Sequence, residues 1–301
     1  GVVAPASVIV FLDGEEAVAV DGKTREVIAR STDHAQVIQE AIDTGGAEIV
    51  LGSNTFDIDK EIRLRSGLAI KGLGTPHVFK ETVGESIYNP VSTTVLRIVN
   101  STVRHVFVYE DPKDSLVGLR LENLSILDGG LVRLGSDQNN LCGGDYIIIK
   151  NIMSHSSIGE IDTYLIDLWH SQNIVIENIR TNLMPALRYG TAWTREDKSW
   201  DFGALKARSV YACGPPSGVP GIHIVSKASS GLSKLTMITL DSPQGMGTFL
   251  LLDGVTTEVR DVVIIKNGFG DTEYPSVVLR GLVKNVFIHS QRRYTVRFVK
   301  N

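Results

Sequence analysis

The chain has 301 residues, a formal net charge of −4 and a pI near 6.0, with 43% hydrophobic and 21% charged residues. That balance excludes a disordered chain, and without a basic stripe nucleic-acid binding has no electrostatic support. No apolar run reaches the roughly 18 residues that a membrane helix requires.

The N-terminal segment GVVAPASVIVF has no charged n-region, so it does not read as an intact signal peptide, although a cleaved leader would leave the same end. Residues 1–30 alternate strongly and turn at Asp13-Gly14 and Asp21-Gly22, which predicts two or three strands joined by tight turns. STDHAQVIQEAIDTGG follows. Ser31, Thr32 or Asp33 can cap a helix over 33–43, Ala35, Ile38, Ala41 and Ile42 form its apolar stripe, and Gly45 and Gly46 end it.

From Ala47 onward the pattern is β, and a short phrase returns. GLRLENLSI, YIIIKNI and NIVIENI place Asn123, Asn151 and Asn178 at intervals of 28 and 27 residues, and Asp261 and Asn285 are 24 apart. Period-two runs punctuated by a polar residue at this interval predict a solenoid of stacked strands, with the Asn and Asp positions as turn formers or a polar ladder. An amphipathic helix suits the open end of such a solenoid as a plug.

The order VIQEAID, a Gly pair, EIVLGSNTFDI and IRLRSGLAIKGLG resembles the opening of the pectin-lyase-like superfamily, in particular its archaeal and viral members. The resemblance covers residues 18–75, and the rung pattern extends it to about residue 290. It implies an all-β fold, a right-handed single-stranded parallel β-helix with an N-terminal capping helix. Residues 1–30 would be N-terminal strands and 31–301 the solenoid. The chain lacks the Pro that members commonly carry before the aromatic, here Phe56 in Gly52-Ser53-Asn54-Thr55-Phe56.

Two stretches break the period: 76–94, and a long insertion at 183–220 that holds two of the three Trp. Loops of that length inside a compact fold are usually functional. Cys142 and Cys213 lie in loop-like contexts compatible with either a disulfide or two thiols.

Chemistry has two candidate places. On the strand at 163–170, alternation sends Ile166 and Leu168 inward and sets Asp167 beside Trp169 outside, an aromatic platform with a carboxylate that suits a sugar. The long loop gathers Arg188, Tyr189, Trp193 and Trp200 as substrate-binding candidates. It adds Glu196, Asp197 and Asp201, with Asp167, as candidate catalytic carboxylates. The polygalacturonase segments Asn-Thr-Asp, Asp-Asp, Gly-His-Gly and Arg-Ile-Lys do not occur. No metal-ligand motif occurs either, so no metal or cofactor is expected, except Ca²⁺ in the case of a lyase. The resulting expectation is an extracellular, cell-surface or virion protein that engages a glycan or builds an appendage, as a homotrimer by analogy with spike-like relatives. A polysaccharide hydrolase or lyase and a purely architectural capsid or surface-layer subunit are the alternatives.

Overall fold

The computed structural model describes residues 7–74, 76, 80–82, 85–87, 93–137, 141–193, 201–228, 234–269, 276–290 and 294–300. The chain winds as a parallel β-helix. In the turn that opens at Gly144, the strand Gly144–His155 supplies a first face at 147–150 and, past Asn151, a second at 152–155. Ile166–Trp169 supplies the third. The next turns repeat this with Gln172–Asn182 and Leu187–Thr191, then with Asp201–Cys213 and Ile222–Ser226, each pairing in parallel with the turn before.

Parallel in-register stacking puts like over like. On the first face the inward column runs through Leu121, Ile149, Ile176, Ala207, Leu240 and Ile264, all buried. Full burial of one such side chain contributes roughly 1.5–3 kcal/mol. The β-branched period-two runs therefore form strands because alternate side chains fill one continuous dry column.

The corners explain the Asn residues. Asn123, Asn151, Asn178, Ser209, Ser242 and Lys266 all have positive φ, 54° to 59°, and succeed one another turn by turn. A single left-handed residue bends the chain from the first face to the second. Left-handed backbone costs an L-residue roughly 1–2 kcal/mol, least for Asn. Hydrogen bonds offset the cost: Asn151 Nδ2 donates to Asn123 Oδ1 at 2.9 Å and Asn178 Nδ2 to Asn151 Oδ1 at 3.0 Å. A second left-handed column precedes the first by five residues: Tyr146, Asn173, Ala204, Met237, Asp261 and Asn285. Asp261 and Asn285, which the repeat groups with the Asn ladder, belong to this second column, where Asn285 Nδ2 donates to Asp261 Oδ1 at 2.9 Å.

The helix His34–Asp43 plugs the end, as its stripe predicts. Asp33 caps it, accepting from Gln36 N at 2.8 Å, and it buries Ala35, Val37, Ile38, Ala41 and Ile42. It also meets the backbone groups that the end turn would leave open. Gln39 Oε1 accepts from Arg63 N at 2.7 Å and Gln39 Nε2 donates to Arg63 O at 3.3 Å, so a side-chain amide stands in for a missing strand. Asp57 N donates to His34 Nδ1 at 2.9 Å. The strand Ser7–Asp13, paired antiparallel to Glu16–Asp21, covers the first face by parallel pairing with Glu48–Leu51.

Of the two interruptions, residues 76–94 carry a small antiparallel pair, Lys80–Thr82 with Glu85–Ile87, outside the solenoid sheet. The stretch 183–220 is not one loop. It contains the rung strands Leu187–Thr191 and Asp201–Cys213, in register with their neighbours, because Leu187, Tyr189, Leu205 and Ala207 keep the inward alternation beneath the Trp, Pro and charges. Cys142 and Cys213 are not joined in a disulfide; their backbones bridge to Asp111 and Met184 respectively.

The left-handed corner makes a side-chain test. Asn151→Gly keeps the conformation and loses the two ladder hydrogen bonds, which should cost roughly 1 kcal/mol. Asn151→Val adds a β-branched side chain at φ 55°, and should cost roughly 2–4 kcal/mol. Urea unfolding of the two variants checks this; equal losses would mean that backbone strain does not govern the corner.

Candidate functional site

The third face carries the candidate chemistry. Ile166 and Leu168 point into the core, and Asp167 and Trp169 stand outside it, as alternation predicts. Asp167 pairs in register with Arg133 on one side and Arg188 on the other, and His223 follows Arg188. Arg188 grips Asp167 with both arms, Nε to Oδ1 at 2.8 Å and NH2 to Oδ2 at 2.5 Å. Its guanidinium also lies 5.0 Å from the Tyr164 ring and 5.2 Å from the Trp169 ring. Such a bidentate, stacked pair is rigid, and removing one partner strands a buried charge at roughly 3–5 kcal/mol.

The expected sugar platform is therefore not open. Trp169 is 2% exposed; Arg188 and the Lys227 ammonium, 5.1 Å from its ring, lie over it. Gly190 makes room beneath it, since a Cβ there would come within 2.6 Å of the indole. Tyr189, expected to bind substrate, points into the core instead. It is fully buried and donates its hydroxyl to Ser171 O at 2.6 Å, and burial pushes its pKa up. Trp193 is also buried, edge-on to His170 at 5.2 Å and 6.1 Å from Phe202. Glu196, Asp197 and Trp200 lie outside the described residues. Asp201 opens the strand Asp201–Cys213 in register with Lys234.

What the geometry does assemble is a polar pocket of about 160 Å³ around the Asp167–Arg188 pair. Its charged lining is balanced, Arg104, Arg133 and Arg188 against Asp137, Asp162 and Asp167, with Tyr164 and Trp169 as aromatic walls. Arg133 is held by Glu110 at 2.6 Å and Asp137 by Lys227 at 2.7 Å. Arg133 Nε and His105 Nδ1, both closed off from solvent, are among the described side-chain atoms that lack a hydrogen-bond partner. His105 Nε2 faces Tyr164 O at 3.0 Å and so must carry the proton, which leaves Nδ1 as an acceptor. Arg104, Asp162 and Thr163 belong both to this pocket and to an adjoining groove of about 560 Å³, which the stacked turns between second and third faces form. The groove adds exposed Val99 and Ile158.

Sequence reading did not find His105, Arg133 or His223. The only signal for Arg133 and His223 is that they share an outward column with Asp167, which becomes visible once the strands are aligned; His105, paired with Gly130, is off that column. A second carboxylate cluster repeats the theme: Asp253 accepts from both Arg280 donors and lies 3.4 Å from His223 Nε2. Burial pushes the Asp253 carboxyl up, but the hydrogen bonds from Arg280 and His223 outweigh it and hold it at about 2.

Burial lowers both His105 and His170 to about 4. His170 is neutral, with Nδ1 facing Leu141 O at 2.8 Å and Nε2 accepting from Ala192 N at 2.9 Å. In the unfolded chain both titrate near 6.5, so between pH 6.5 and 4 the unfolded state binds more protons and stability falls with falling pH. Each histidine can contribute on the order of 3 kcal/mol to that loss. Melting temperature should be level above pH 7 and drop steadily toward pH 4, and His170→Asn should start lower but slope less. A flat profile from pH 7 to 4 would contradict the buried neutral histidines.

No protein-family model matches the chain, and no curated protein matches it by sequence. Among solved structures it is similar to the surface protein and adhesin PfbA of Streptococcus pneumoniae, at 12% identity over 88% of this chain and 96% of that one, with a TM-score of 0.39. A second structure of that adhesin matches at 11% identity over 89% and 90%, with a TM-score of 0.28. ORF18 of Geobacillus virus E2 matches at 10% identity over 95% of this chain and 68% of that one, with a TM-score of 0.30. The solenoid that the opening residues imply is present, while no family model assigns the chain to the pectin-lyase-like superfamily.

Proposed function

We propose that the chain is a surface-exposed β-helix, on a cell or a virion, that recognises a neutral, hydroxyl-rich ligand such as a glycan at the pocket beside Asp167 and Arg188. The observation that carries this reading is the pocket's charge balance together with its aromatic walls. A neutral hydroxyl group meets such a matched lining without adding a charge, whereas a carboxylate or phosphate would bring one that the lining does not balance. Tyr164 and Trp169 add apolar walls, and the adjoining groove gives an extended ligand room to continue.

The enzyme reading draws less support from these residues. Asp167, a candidate nucleophile or acid, is 2% exposed and spends both oxygens on Arg188. A carboxylate so engaged lacks the free oxygen that either role in glycoside hydrolysis requires.

Glycan-array binding with labelled protein tests the proposal. Arg104→Ala and Asp162→Asn lie on the rim shared by pocket and groove. They should weaken binding about 10-fold or more, equivalent to 1.4 kcal/mol, without moving the melting temperature. Absence of any retained glycan, or wild-type binding by both variants, would overturn the recognition reading and favour a purely architectural subunit.

A further inference from the structure

The outer side of the first face carries a column of charges whose order has a consequence beyond the chain's own stacking. Lys71, Glu122, Lys150, Glu177, Arg208 and Asp241 succeed one another in register on six consecutive turns, so the signs alternate without a break. The charged run is flanked by an apolar residue on each side, Val50 before Lys71 and Ile265 after Asp241. Within the chain Lys150 and Glu177 approach to 2.8 Å and Arg208 and Asp241 to 3.8 Å. The six side chains remain 16–68% exposed, so they can be reached from outside.

A column of this order is complementary to itself when reversed. Turned end for end, it sets Lys71 against Asp241, Glu122 against Arg208, Lys150 against Glu177, and Val50 against Ile265. Both copies share the same rung spacing, about 4.8 Å, so the match holds along the whole column. We infer that this face is the interface of a two-fold, antiparallel dimer, with a second copy of this chain as the occupant. Ile148 and Val175, half-buried neighbours on the turns beside the dyad, then meet each other's counterparts at its centre. The one like-charged match, Arg120 with Lys206 of the second copy, falls where Glu122 already holds Arg120 at 2.8 Å. Parallel axes would instead bring like charges of this column together, so a threefold assembly does not use this face.

Light scattering on the intact chain should give twice the 32.8 kDa of one copy. Arg208→Asp with Asp241→Arg creates four like-charge contacts across the dyad, and so does Lys71→Glu with Glu122→Lys. Each swap should weaken self-association at least 10-fold. Mixed together, the two are complementary at every position and should restore the dimer. Lys150→Glu with Glu177→Lys alters as many charges but keeps every match, and should stay dimeric. Zero-length cross-linking of wild type needs no variant to fold. Lys71 and Asp241 are five rung spacings apart within one copy, about 24 Å, so a Lys71–Asp241 link can form only between copies. A monomeric or trimeric wild type, swaps that dimerise like wild type, or absence of that link where Lys150–Glu177 is linked would each overturn the inference.

Discussion

The structure depends on one constraint: every turn of the chain must lie in parallel register on the turn before. Backbone hydrogen bonding demands it, and the corners make it possible by spending a single left-handed residue where the chain changes face. Asn151, with φ 55° and side-chain hydrogen bonds to Asn123 and Asn178, shows how the cost is met. Where the corner falls on Ala204 or Met237, no side-chain ladder helps, and the strand pairing on either side holds the conformation.

In-register stacking turns each side chain into a member of a column. Inside, columns of Ile, Leu and Val exclude water. Outside, a charge must find its partner on the next turn, because that is its nearest neighbour, about 4.8 Å away. Asp167 with Arg188 and Asp253 with Arg280 are two solutions on the third face, and the alternating column through Lys150 and Glu177 is another on the first. The same rule shapes the pocket. Its acids and bases are matched because they arise from neighbouring turns.

Much of the fold was legible in the sequence. Period-two runs gave the strands, Ala35, Ile38, Ala41 and Ile42 gave the plug, and the interval of the Asn residues gave the stacking. The repeat misled at Asp261 and Asn285, which are five residues out of phase with the Asn ladder; an interval measures turn length and not position within the turn. The site was legible only in part. Alternation correctly set Asp167 and Trp169 outside, but what covers them comes from the next turn. Finding Arg188 opposite Asp167 requires knowing that this turn advances 21 residues, and the Trp and charges around Arg188 resemble a loop. Tyr189 was misplaced for the same reason, since its inward direction follows from a strand whose alternation spans only five residues.

The central claim is that outward polar residues on the third face hold turns together before they do anything else. A double-mutant cycle on Asp167→Asn and Arg188→Gln, read by equilibrium unfolding, tests it most directly. Each single change should cost roughly 3–5 kcal/mol, and the double change should cost clearly less than their sum, by roughly 2 kcal/mol or more. Single variants as stable as wild type, with additive effects, would contradict the account and leave Asp167 available for chemistry.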